Sequence, residues 1–126
     1  MPGSTQQVHL VNIDPDVHAG LAWLCKKKHT TISTVVRTLL YLAATDGAVM
    51  QQCVTIAPRK KPESEFWSDI IVHNVDISVW NAFRAQARAY KSSPQIAARG
   101  MLALFAEDNE KLIAKMGGGI PHSRAE

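Results

Sequence analysis

The sequence predicts a mainly α-helical fold with one two-stranded antiparallel β-ribbon, and three observations support this class. First, residues 8–44 align without a gap to residues 70–106 at a constant offset of 62 (70 minus 8), which is typical of an internal duplication. Second, each copy opens with a β-rich run, VHLVNI or IIVHNV, of the length of one strand. Third, two stretches with apolar residues at helical spacing follow each run.

The start of each helix is marked by residues that cap helices. Asp14 and Asp76 end the β-rich runs and are placed to cap the first helix of each copy. Pro15 fits the first helical turn, where no amide donor is needed. Thr31 and Ser93 are expected to cap the second helices. Each copy is therefore predicted to form a strand followed by two helices.

A unit of about 40 residues leaves too much apolar surface in water to fold alone. We expect the two copies to close over one core, with their strands paired as a ribbon and four helices beneath it around a pseudo-two-fold axis. The matched pairs include Asn12 with Asn74, Asp14 with Asp76, Arg37 with Arg99 and Leu40 with Leu102. The predicted divisions are a disordered arm (1–7), a first repeat (8–47), a linker with a short β-like CVTIA (48–68), a second repeat (69–109), and a helix extension with a disordered tail (110–126).

Composition narrows the function classes. The chain is mildly basic, with a formal net charge of +3, which fits a polyanionic partner. It has no apolar run of about 20 residues and no signal-peptide pattern, so we expect a cytoplasmic protein. Cys25 and Cys53 form no C-x-x-C pair, and reduced thiols are favoured over a disulfide. No nucleophile–base pair, glycine-rich phosphate loop or metal-ligand spacing is evident, so we expect no enzyme, cofactor, metal or small-molecule substrate.

The order of features in each copy resembles that of the ribbon-helix-helix superfamily over residues 8–45 and 70–107. These features are a strand, an aspartate-capped helix, a Ser/Thr turn and a second helix, which is TISTVVRTLL in the first copy. Most members are homodimers of one copy, and a tandem arrangement in a single chain resembles that of a relaxosome protein of plasmid transfer. The resemblance implies a tandem ribbon-helix-helix, folded as an intramolecular pseudo-dimer, that binds double-stranded DNA. It also implies that the ribbon enters the major groove and that the second helices meet the DNA backbone.

Under this resemblance, the residues on the outer face of the ribbon touch the bases. Counting back from Ile13 and Val75 assigns His9, Val11, Ile71 and His73 to the inner face. It assigns to the outer face, and so to base contact, Val8, Leu10, Asn12, Ile70, Val72 and Asn74. A register shift of one residue would instead turn His9 and His73 outward and bury both asparagines.

The expected phosphate contacts lie where a second helix begins, because free amides and the helix dipole favour an anion there. They are Lys26, Lys28, Thr30 and Thr31 in the first copy, with Arg88, Lys91, Ser92 and Ser93 in the second. The plainer interpretation is a solvated helix end with favourable lysines.

Two binding functions follow from these expectations. The first is sequence-selective binding of double-stranded DNA, as a transcriptional regulator or DNA-processing accessory of plasmid or phage type, at a non-palindromic site because the halves differ. The alternative is a scaffold that binds a protein partner or self-associates, since four aliphatic residues on an outer face would form an apolar patch large enough to mark an interaction site.

Overall fold

The structure is a computed structural model, and it describes residues 4–56 and 67–107. Within these ranges the elements run in the order β1 (Thr5–Ile13), α1 (Pro15–Lys27), α2 (Ile32–Thr45), α3 (Gly47–Ile56), β2 (Ser68–Asp76), α4 (Ile77–Ala89) and α5 (Pro94–Glu107). The strands β1 and β2 pair as an antiparallel two-stranded sheet. The predicted class, mainly helical with a two-stranded antiparallel ribbon, is confirmed. None of the helices in the described ranges combines the length and apolar character that crossing a membrane requires.

The predicted caps start the helices in both copies. Oδ1 of Asp14 accepts a hydrogen bond from the Asp16 amide at 2.8 Å, and Oδ1 of Asp76 accepts one from the Ser78 amide at 2.8 Å. The Ser78 hydroxyl also donates to Oδ1 of Asp76 at 2.6 Å, and these bonds lower the pKa of that carboxyl group. The second helices start in the same way, with Thr34 N donating to Thr31 Oγ1 and Ile96 N to Ser93 Oγ, both at 3.2 Å.

The first helix of each copy also ends alike. His29 (φ 56°) and Lys91 (φ 61°) adopt the left-handed conformation, which ends a helix by reversing the backbone. The amide three residues past the last helical residue then bonds back to a carbonyl of the last turn of the helix. These bonds run from Thr30 N to Cys25 O and from Ser92 N to Ala87 O, at 2.9 Å in both cases.

One core lies beneath the ribbon. The second helices contribute the residues that their periodicity placed inward, namely Val35, Val36, Leu39, Leu40 and Ala43 in α2, and Ala97, Ala98, Met101, Leu102 and Phe105 in α5. Phe83 of α4 is fully buried among them and stacks on Trp80 at a centroid distance of 5.6 Å. Burial of this apolar surface is the main favourable contribution to folding.

The segment 47–56 corrects the predicted linker. Instead of a β-like CVTIA, the chain forms helix α3, which packs mainly against α5. Its buried residues are Val49, Met50, Cys53 and Ile56. Val49 and Met50 lie four and three residues before Cys53, and Ile56 lies three after it, so α3 has an apolar side. Burial of that side outweighs the β-propensity of its branched residues.

The prediction of a disordered arm over residues 1–7 is wrong for residues 5–7, and residues 1–3 lie outside the described ranges. Thr5, Gln6 and Gln7 belong to β1 rather than to a disordered arm, because pairing with β2 satisfies their backbone groups. The predicted remainder of the linker, the helix extension and the tail lie outside the described residues.

Both cysteines are free and buried. Burial raises the pKa of the Cys53 thiol to about 12 and raises that of Cys25 as well. Since the thiolate is the reactive form, these residues serve as small apolar side chains of the core.

Candidate nucleic-acid interface

The two faces of the ribbon differ sharply in burial. Leu10 and Val72 are 0% exposed, and Val8 and Ile70 are buried beside them against the helices. The prediction that these four residues form the outer face was therefore wrong, and none of them is available to touch a base. The outward positions belong to the residues between them.

A bulge in each strand explains the error. Between the pairs Leu10↔Ile70 and Ile13↔Ser68, β1 has two residues, Val11 and Asn12, where β2 has only Asp69. Asn12 adopts a left-handed backbone, with φ 59°, a conformation that asparagine tolerates better than other residues with a side chain. The extra residue reverses the inward–outward alternation, so counting back from Ile13 selected the wrong face.

The second strand repeats this bulge. Asn74 has φ 57°, and His73 and Asn74 together lie opposite the single residue Gln7. The alternative register, with His9 and His73 outward, is correct for the histidines, which are exposed. It is wrong for the asparagines, because the bulges leave Asn12 and Asn74 exposed as well.

The exposed face is mostly polar. It presents Gln7, His9, Asp69 and His73, with Ile71 as its exposed apolar member at 45% and Val11 half-buried. At the centre, His9 lies opposite Ile71 in the register. Nε2 of His9 is 3.3 Å from Oδ2 of Asp69, and these side chains remain 55% and 53% exposed. We call this set the outer face.

The second helices are hydrogen-bonded to the strand of the other copy. Ser33 Oγ at the start of α2 accepts from the His73 amide at 3.2 Å, and Gln95 Oε1 at the start of α5 accepts from the Val11 amide at 3.1 Å. The donors and the acceptors are each 62 positions apart (73 minus 11, and 95 minus 33). These bonds place the start of one second helix beside each end of the outer face.

Two further bonds strengthen these junctions. Gln95 Nε2 donates to the His9 carbonyl at 2.9 Å, and Arg37 Nη1 donates to the His73 carbonyl at 2.7 Å. The head group of Arg37 is thus bound to the ribbon. Sequence reasoning missed Ser33 and Gln95, although both occupy the same position, two residues beyond the cap of a second helix.

The predicted phosphate-contact residues lie in the last turns of α1 and α4 and in the connections that follow, next to these helix starts. Thr31 and Ser93 use their side-chain oxygens as caps, and Thr30 Oγ1 is buried without a hydrogen-bond partner in the described ranges. Ser92 is half-buried. The exposed cations are Lys26 and Lys28 at the α1–α2 junction, and Arg88 and Lys91 at the α4–α5 junction.

Lys27 adds a third cation at the junction between α1 and α2. Its Nζ lies 5.0 Å from the ring centroid of Trp23, a cation–π distance. The α1–α2 junction thus carries three lysines, and the α4–α5 junction carries two cations, Arg88 and Lys91. In the described part of the chain, no group of three His, Cys, Asp or Glu side chains is placed to hold a metal ion.

No protein-family model, curated protein or solved structure matches this chain.

Proposed function

We propose that the chain is a tandem ribbon-helix-helix protein, folded as an intramolecular pseudo-dimer, that binds double-stranded DNA sequence-selectively through its ribbon. Support for the paired arrangement comes from features that recur 62 positions apart: the left-handed asparagines, the helix caps, the helix ends and the bonds between each second helix and the opposite strand. We assign it to cytoplasmic regulators of transcription or accessories of DNA processing, of plasmid or phage type.

The composition of the outer face carries the proposal. A two-stranded ribbon fits the major groove, where each base pair presents its own pattern of donors, acceptors and methyl groups. Gln7, His9, Asp69 and His73 offer polar groups of the kinds that read this pattern, and all four are exposed. Ile71 supplies an apolar contact for a thymine methyl group. Asn12 and Asn74 stay in the proposed contact set, since asparagine pairs with adenine.

The surroundings of the outer face fit a phosphate backbone on both sides. The starts of α2 and α5 lie beside its two ends through Ser33 and Gln95. A helix start favours an anion through its free amides and its dipole, and the exposed cations of the adjoining turns neutralise phosphate charge. Contacts of this kind position the protein, while the ribbon specifies the sequence.

The two halves of the outer face are not equivalent. Positions that match at the offset of 62 hold Gln7 and Asp69, His9 and Ile71, and Val11 and His73. Because the halves present different chemistry, the preferred DNA site is non-palindromic.

The alternative function, binding of a protein or self-association through an apolar outer face, loses the observation that supported it. Val8, Leu10, Ile70 and Val72, the residues assigned to that patch, are buried in the core.

Selection from a randomised duplex library, followed by anisotropy titrations at about 50 and 200 mM salt, tests the proposal. The protein should enrich one non-palindromic site and lose affinity steeply as salt rises. A Gln7→Ala, His73→Ala variant should lose preference for that site over random duplex while keeping its salt dependence. Gln51→Ala, at an exposed position on α3, is the matched control and should change neither. Absence of binding at about 50 mM salt would refute the proposal.

A further inference from the structure

We propose that Asp69 is a specificity residue that requires a cytosine at one end of the bound DNA site. This inference rests on the proposed function and goes further by naming a base and the side chain that selects it. Asp69 is an unusual group for a surface that meets DNA, because a carboxylate is repelled by phosphates. Its position on the outer face therefore demands a compensating donor from the DNA.

The location of Asp69 is fixed by its neighbours. It lies opposite the bulge residues Val11 and Asn12, and its side chain is on the same side of the ribbon as His9, whose Nε2 contacts its Oδ2 at 3.3 Å. The described residues supply no hydrogen bond to this carboxylate, which is 53% exposed. One oxygen thus lies near His9, and the group is open to a ligand from above the outer face.

The chemistry of the major groove selects the ligand. An ionised carboxylate only accepts hydrogen bonds, whereas guanine presents two acceptors and thymine presents an acceptor and a methyl group. Adenine has an amino donor, but its neighbouring N7 acceptor faces the same groove and opposes a carboxylate. Cytosine presents its N4 amino group as the donor that pairs with aspartate. A wrong base leaves the carboxylate unpaired, which should cost about tenfold to a hundredfold in affinity.

The other half of the chain provides an internal comparison. Gln7 occupies the matching position, 62 residues before Asp69 (69 minus 7). A glutamine amide both donates and accepts, and it pairs with adenine without excluding DNA by charge. The carboxylate therefore restricts the base that is accepted at one end of the DNA site only.

The test repeats the library selection with the wild-type protein, Asp69→Asn and Asp69→Gln. Wild-type sites should hold a cytosine at a fixed position on one side. Asp69→Asn nearly preserves the shape and removes the charge, so it should lose that cytosine and bind random duplex about threefold to tenfold more tightly. Asp69→Gln should select the same type of base on both sides. Thermal melts of the variants confirm that each is folded.

A modified base provides a second readout. N4-methylcytosine at the selected position places a methyl group on the donor, so it should weaken wild-type binding and leave Asp69→Asn unaffected. Retention of the cytosine by Asp69→Asn, or equal effects of the modified base on both proteins, would overturn the role of Asp69 while leaving DNA binding intact. A wild-type protein that binds no DNA would overturn the proposed function itself.

Discussion

The two ends of the outer face share one backbone geometry and differ in chemistry. At one end, Gln7 and His73 lie beside the start of α2, which Ser33 and Arg37 join to the ribbon. At the other end, Asp69 and Val11 lie beside the start of α5, which Gln95 joins to the ribbon. The bulges, caps and helix ends are alike, so the scaffold tolerates divergence of the outward side chains.

The chemical difference between the two ends shows that two similar halves in one chain can diverge independently. In a symmetric homodimer every substitution appears twice, once in each half of the interface. In this chain position 69 holds an acid, whereas the matching position 7 holds a glutamine. Three lysines lie at the end of α1 and just after it, whereas Arg88 and Lys91 lie at the corresponding place of α4. Within one chain, the outward side chains of one half can thus change without changing those of the other.

The largest expected effect tests which residues face outward, on which the whole comparison depends. Val72→Asp should unfold the protein or destabilise it by about 4 kcal/mol or more, because it places an unpaired charge in a core position that is 0% exposed. Ile71→Asp is the matched control, since its side chain is 45% exposed. Urea denaturation followed by circular dichroism measures both. Equal stability of the two variants would contradict the observed register.

Substitutions with an intermediate effect on stability test whether the two bulges are equivalent. Asn12→Ala and Asn74→Ala should each destabilise the fold by about 1 kcal/mol, because alanine is strained at the left-handed φ values of 59° and 57°. Asn12→Gly and Asn74→Gly, which relieve the strain, serve as controls and should be near neutral. Markedly unequal losses at the two sites, measured by chemical denaturation, would show that the bulges are not equivalent.

The smallest effect sharpens the contrast between the two turns. Lys28→Ala and Lys91→Ala should each weaken binding to all duplexes alike and reduce the slope of log affinity against log salt by about 0.9, the contribution of one phosphate contact. Neither should change the selected sequence, since phosphate contacts carry no base information. An unchanged slope in either variant would place that lysine among the solvated residues of a helix end.

Much of the fold is predictable from the sequence because its signals are local and occur twice. Asp14 and Asp76, with the Ser/Thr turns, set the helix starts, and the periodicity of α2 and α5 identifies their buried sides. Helix α3 was missed because its branched residues favour a strand when judged alone, whereas its packing against α5 decides the outcome. Tertiary burial of that kind is not visible in a short window of sequence.

The outer face was misassigned because one asparagine in each strand changes the alternation of every residue before it. A signal for this was present. The buried residues are spaced by two and then by three, from Val8 to Leu10 to Ile13, and from Ile70 to Val72 to Val75. An asparagine within the longer spacing of both copies, a residue that tolerates the left-handed conformation, indicates a bulge. The pairing of His9 with Asp69 depends on strand register and could not be read from the sequence.

The pairing of β1 with β2 inside one polypeptide determines how assembly of the ribbon depends on protein concentration. A ribbon made by two separate chains dissociates when the protein is dilute, so its occupancy of a site falls with the square of concentration at the low end. Here folding and assembly are a single unimolecular event. The ribbon is complete in every folded molecule, so its assembly does not depend on concentration. If the proposed function holds, occupancy of a DNA site by single molecules rises linearly with concentration at the low end.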